Sequence, residues 1–252
     1  MRRSLRTRYD LSNPKPATAG GNLAAVPRVG PGPVPTANIL VAPTRHPRLA
    51  AVVAEVSPEL AAAGYTPHDA HPLWARDRPH GLATLALAYA PDDGEGGWVE
   101  PFVGLVDERV ETLVATFRRS APTHGLRHTL LVGATRYAVA PLDRQPVHSD
   151  AEVLEVANEL LRWWRRAGPD LEARFGGGLP QLDALFNAPH PEAPRYLTHE
   201  LYRALRGVAV RRALDPADDL LDVLAFHRSR MQESGFWEVY GEQVRAFVTA
   251  LS

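Results

Sequence analysis

The feature that most constrains this chain is a change of hydrophobic period. From Gly81 to Ala90 the run GLATLALAYA alternates, placing Leu82, Thr84, Ala86 and Ala88 on one face and Leu85, Leu87 and Tyr89 on the other. The turn PDDGEGG and a second β-capable run, WVEPFVGLV, follow. Two such runs joined by a short Asp/Gly-rich turn predict an antiparallel hairpin. Before and after it the spacing is helical. TRHPRLAAVVAEVSPELAAAGY carries a stripe of Leu49, Val52, Val53, Val56 and Leu60, with Thr44 as the expected N-cap, Pro47 in the first turn and Gly64 at the end. Pro58 is expected to divide this helix. DERVETLVATFRRS returns to helical spacing through Val110, Leu113, Val114 and Phe117, and HTLLVGATRYAVAPL supplies one or two further strands with Gly133 as a bend.

From Ser149 onwards the pattern is helical to the end. Ser149 with Glu152 three residues later is a capping box opening DAEVLEVANELLRWWRRAG. LPQLDALFN, THELYRALRGVAVRRAL, PADDLLDVLAFHRSRMQES and FWEVYGEQVRAFVTAL follow. Strands and a few helices first, then a run of helices, predict an α+β fold: a small antiparallel sheet of about four strands packed with helices, followed by a helical C-terminal part. Three segments are expected: a Pro/Gly-rich extended tail over 1–40, a sheet portion over 41–148, and a helical portion over 149–252 sharing its core.

Composition narrows the chemistry. The absence of cysteine excludes disulfide frameworks, thiolate zinc sites, iron–sulfur clusters and cysteine nucleophiles. No apolar run approaches the roughly 18 residues that span a bilayer, and MRRSLRTRYDLSNPKP lacks the apolar stretch of a secretory signal. A cytoplasmic location with no membrane association is expected. Net charge is −1, which provides no global attraction for nucleic acid. Lys15 is the only lysine; the bias to arginine, with abundant Ala, Gly and Pro, reflects a GC-rich genome rather than phosphate recognition. Arg2, Arg3, Arg6 and Arg8 in the tail are the one basic cluster that could serve as a nucleic-acid arm, with a solubilising tail as the simpler reading.

This order of elements resembles the bacterial DUF4304-type families, some of which are similar to immunity proteins of contact-dependent toxin systems. The resemblance spans roughly residues 48–186. It is carried by the helix ending in AAAGY, the segment HPLWAR, the hairpin GLATLALAYA…WVEPFVGLVDERVETLV, the segment RHTLLVGATRYAV and the helix entered by HSDAEVLEVANELL. It implies an α+β domain that binds rather than catalyses, and it brings no catalytic residues with it.

His68, His71 and His80, with Asp69 and Asp77, are the metal candidates. Pro67 and Pro72 bracket the first pair and disfavour a helix there. An extended segment would point His68 and His71 to opposite faces, so they would not chelate one ion. Histidines bonded to backbone or solvent are the plainer reading, and no metal or other cofactor is expected. THELYRAL begins like a zincin helix but has Arg203 where the second histidine must be. There is no G-x-S-x-G elbow and no phosphate-binding loop. FGGGLPQ reads as a helix end and turn, and ADDLLD as acids complementing a helix N-terminus. In LLRWWRRAG, Leu160, Leu161 and Trp164 continue the apolar stripe, whereas Trp163 falls towards the flank beside Arg162 and Arg166. An exposed tryptophan among arginines is typical of protein interfaces and can also stack on bases, while the plainer reading is that the cations sit at a helix C-terminus and cover the ring. Phe236, Trp237, Tyr240 and Phe247 fit the core side of the last helix.

The sequence therefore predicts a non-enzymatic protein-binding domain, immunity- or adaptor-like, with Arg162, Trp163 and Arg166 as its surface. The alternatives are a metal-dependent hydrolase built on the His68–His80 segment, and nucleic-acid binding through the arginine-rich N-terminus.

Overall fold

The computed structural model describes residues 46–68, 72–92, 96–118, 128–137, 140–190, 193–196 and 199–252. The expected tail over 1–40, Thr44, Asp69 and His71 lie outside the described residues. The first element is helix α1 (Pro47–Ala62), with His46 at its N-cap and Gly64 in the left-handed region at φ 83° just beyond its end. The helix runs through Pro58 without dividing. Its Leu49, Val52, Val56 and Leu60 are buried, so one continuous packed face outweighs the backbone bond that a proline deletes.

Among the described residues six strands form one antiparallel sheet: β1 (Thr66–Pro67), β2 (Leu73–Arg78), β3 (Gly81–Pro91), β4 (Gly97–Asp107), β5 (Leu130–Gly133) and β6 (Gln145–Val147). Strands β1 to β5 are neighbours in chain order, and β6 shares the outer edge of β4 with β5. The predicted hairpin is β3–β4, paired from Gly81↔Asp107 to Pro91↔Gly97. Two more strands than expected arise at the sheet's margins, where β1 and β6 have two and three residues. Elements so short carry no period of their own. The final turn between Ala134 and Arg136 is 3-10, where a further strand was an option.

Trp74, Leu85, Val103 and Val132 stand directly opposite one another across four strands, and so share a face. That face meets the helices. The Trp74 indole lies edge-on to Trp164, 5.7 Å between ring centroids, and donates its N–H to Ser57 Oγ of α1 at 3.2 Å. Trp164 sits on α3 (Asp150–Phe175). The capping box is present: Glu152 accepts the backbone N–H of Ser149 at 3.1 Å. Helix α3 was expected to stop at Gly168, yet it continues through Pro169 to Phe175 because Leu171 and Phe175 have core to fill.

Between sheet and C-terminus, α2 (Glu108–Arg118) precedes α3, and α4 (Leu179–Asn187), α5 (Ala193–Tyr196), α6 (Glu200–Leu214), α7 (Leu221–Glu233) and α8 (Trp237–Leu251) follow it. Buried Glu111 on α2 accepts both Nε and Nη2 of Arg206 on α6, at 2.9 and 3.2 Å, fastening the helical part to the sheet part. Arg203, the residue that rules out a zincin site, is buried and donates to the carbonyls of Phe186, Leu185 and Ala188 at the end of α4. Burial lowers its pKa to about 10. No helix among the described residues is long and apolar enough to cross a membrane.

Candidate binding cleft between the last two helices

The segment LLRWWRRAG exposes its expected arginines but not its tryptophan. Trp163 is fully buried, 0% exposed. Its indole N–H donates to the Ala140 carbonyl at 2.6 Å and its ring meets Tyr137 edge-on at 5.8 Å. Arg162 and Arg166 are exposed, and Arg162 pairs with Glu159 on the same helix. The physical reason is that α3 is covered along more than one flank: α1 and the sheet meet one side, and the segment around Tyr137 and Ala140 meets another. Trp163 therefore belongs to a second buried stripe.

The described histidines of the other candidate segment, His68 and His80, do not meet. Pro67 pairs with Trp74, so the chain reverses between β1 and β2 where a continuous extended run was expected. The His68 N–H donates to the Leu73 carbonyl within that reversal. His80 lies beyond the other end of β2, in the turn to β3, and its carbonyl accepts the Glu108 N–H. Six residues of strand separate the two histidines, a span of about 17–20 Å at the usual rise per residue. Asp77 pairs with Leu82 beside that far turn. Among the described residues no group of three or more His, Asp or Glu could hold a metal ion. His71 and Asp69 fall outside them, as do Arg2, Arg3, Arg6 and Arg8.

What the fold does present is a cleft of about 260 Å³ between α7 and α8, lined by Leu221, Leu224, Arg228, Gln232, Trp237 and Arg245 among others. It begins with how α7 starts. Asp218 and Asp219 accept the N–H groups of Leu220 and Leu221, as the ADDLLD reading expects of acids at a helix entrance. Leu220 is held at φ 62°, ψ 5°. Outside glycine such a backbone is uncommon and strained, and here the burial of the Leu220 side chain holds it in place. The turn it makes leaves Leu221 61% exposed at the cleft mouth.

Helix α7 has two apolar sides. Val223, His227 and Met231 are buried, and His227 bonds Asn187 Oδ1 at 2.8 Å. Leu221, Leu224 and Ala225 line the cleft on another side. The opposite wall is Trp237 at the start of α8. A Cβ on Gly241, one turn later, would come within 2.6 Å of the indole, so the missing side chain is what lets the ring lie along its own helix. Arg245 from α8 and Arg228 from α7 both stand over that ring, at 5.2 and 5.9 Å from its centre. Neither arginine makes an ion pair with any described residue. Cation–π contacts of this kind hold a guanidinium in place while leaving N–H donors for another partner.

Trp237 is buried, as its place on the core side of the last helix leads one to expect, whereas Arg228 and Arg245 carry no signal of their own in the sequence. The available signal was an α7 segment with apolar residues on two sides, more than one core face can absorb, together with a glycine four residues after a tryptophan. Comparison with protein-family models, with curated proteins and with solved structures gives no match to this chain.

Proposed function

We propose that this chain is a cytoplasmic protein-binding domain, immunity- or adaptor-like in kind, that acts through surface complementarity without chemistry of its own. The docking surface in this reading is the α7–α8 cleft. The observation that carries it is the pair of guanidinium groups, Arg228 and Arg245, set on one indole without a carboxylate partner among the described residues. Arginine and tryptophan are the residue types on which binding energy concentrates at interfaces. The volume supports the same reading. Small-molecule sites commonly occupy about 300–1,000 Å³, and about 260 Å³ in an open cleft suits one or two side chains of a larger partner. The DUF4304-type resemblance of the sheet portion points to binding as well, although the cleft lies outside the segment that carries it.

The test is affinity capture from a lysate of the source cells with wild type, an Arg228→Ala/Arg245→Ala variant and an Arg162→Ala/Arg166→Ala variant. One polypeptide held stoichiometrically by wild type and by the α3 variant, lost by the α7–α8 variant and rebound when purified, is the expected result. A partner insensitive to Arg228 and Arg245 contradicts the assignment of the surface.

A further inference from the structure

Resting on the protein-binding reading, we infer that the cleft takes an acidic segment of the partner: an aliphatic side chain seated between Leu221, Leu224 and Trp237, with an adjoining carboxylate bridging Arg228 and Arg245. The lining aliphatic groups of α7 face solvent at Leu221 and are half-buried at Leu224, so a partner's aliphatic side chain gains by covering them. Two cations share one aromatic wall, neither in an ion pair with a described carboxylate, and a partner's carboxylate can accept two parallel N–H bonds from a guanidinium fork. Arginine is already oriented by the ring, so less side-chain freedom is lost on binding.

The same residue types, arginine and tryptophan, also bind single-stranded nucleic acid, where bases stack on open aromatic faces. Trp237 is only 9% exposed, with Gly241 beneath it and two guanidinium groups beside it. The exposed part of the ring can border one aliphatic side chain but is too small for a base to stack on. Its role is to position cations, which favours a carboxylate at the rim over stacking in the cleft.

The test is fluorescence anisotropy with three labelled probes: a peptide pool with a central leucine flanked by Glu or Asp, the same pool with Gln or Asn, and a thymidine oligonucleotide. Wild type should bind the acidic pool, weaken as salt is raised, and bind the amide pool about tenfold less tightly or worse. Arg228→Gln/Arg245→Gln should lose the acidic pool, while Arg228→Lys/Arg245→Lys, which keeps charge without the planar fork, should retain part of it. A thermal melt of each variant keeps loss of binding separate from loss of fold. Equal binding of acidic and amide pools, binding indifferent to the Gln variant, preference for the oligonucleotide, or no binding of the acidic pool would each overturn the inference. If the acidic pool fails while the lysate partner still depends on both arginines, only the occupant's chemistry is wrong. If both fail, the cleft is no docking site.

Discussion

Two tryptophans, each close to arginines on a helix, have opposite roles in this molecule. Trp163 sits mid-way along a 26-residue helix that is packed on several flanks, its N–H satisfied by Ala140 and its ring held by Tyr137. Of the arginines around it, Arg162 pairs with Glu159 and Arg165 with Glu59. Trp237 opens the last helix, lies over Gly241 and forms the wall of a cleft with two arginines drawn onto its ring. An aromatic–arginine cluster in sequence thus says little by itself. What decides its role is how many neighbours the helix has: α3 lies against α1 and the sheet, whereas α8 packs on α6 and α7.

The sharpest way to break this comparison is Trp163→Ala. It should cost about 3–5 kcal/mol through cavity formation and loss of the indole bond to Ala140, read as a fall in the urea midpoint. A change below about 1 kcal/mol would return Trp163 to the surface and invert the account.

His227 tests whether α7 is as firmly fixed on its inner side as it is open on its outer one. Full burial, with Arg203 and Arg230 nearby, pushes its pKa from 6.5 down to about 3. Folding therefore favours the neutral ring, and the unfolded chain binds the proton first as pH falls. The stability contribution is intact above about pH 6.5 and is lost progressively towards about pH 3. Urea midpoints measured across that window should fall for wild type, and fall less for His227→Asn. Parallel curves would show that the inner face of α7 admits water.

Gly241→Ala comes next. The added Cβ must push the indole off its helix, at about 1–3 kcal/mol. Tryptophan fluorescence should shift and capture of the partner should weaken, even though the exchanged residue touches no partner. The smallest effect belongs to Arg162→Ala/Arg166→Ala, within about 0.5 kcal/mol and without loss of binding. A larger loss of binding would restore the α3 surface.

Much of the architecture was legible because it rests on local rules. The β3–β4 hairpin follows from alternation, the entrance of α3 from Ser149 and Glu152, and the end of α1 from Gly64. The α+β class follows from element order. The margins were not legible. β1 and β6 exist only because β2 and β4 offer unpaired edges, and α1 persists through Pro58 because its buried stripe continues on both sides. Trp163 was misplaced for a related reason: one apolar stripe was counted on a helix that has two. The cleft was hidden because it depends on a contact between α7 and α8, with Arg228 and Arg245 17 residues apart in sequence.

The most direct test of the central claim is hydrogen–deuterium exchange of the full chain with and without the captured partner. The account predicts new protection across residues 221–245 and no change at residues 159–166, where Trp163 is already closed off. Protection confined to residues 159–166, with α7 and α8 unaltered, would contradict it.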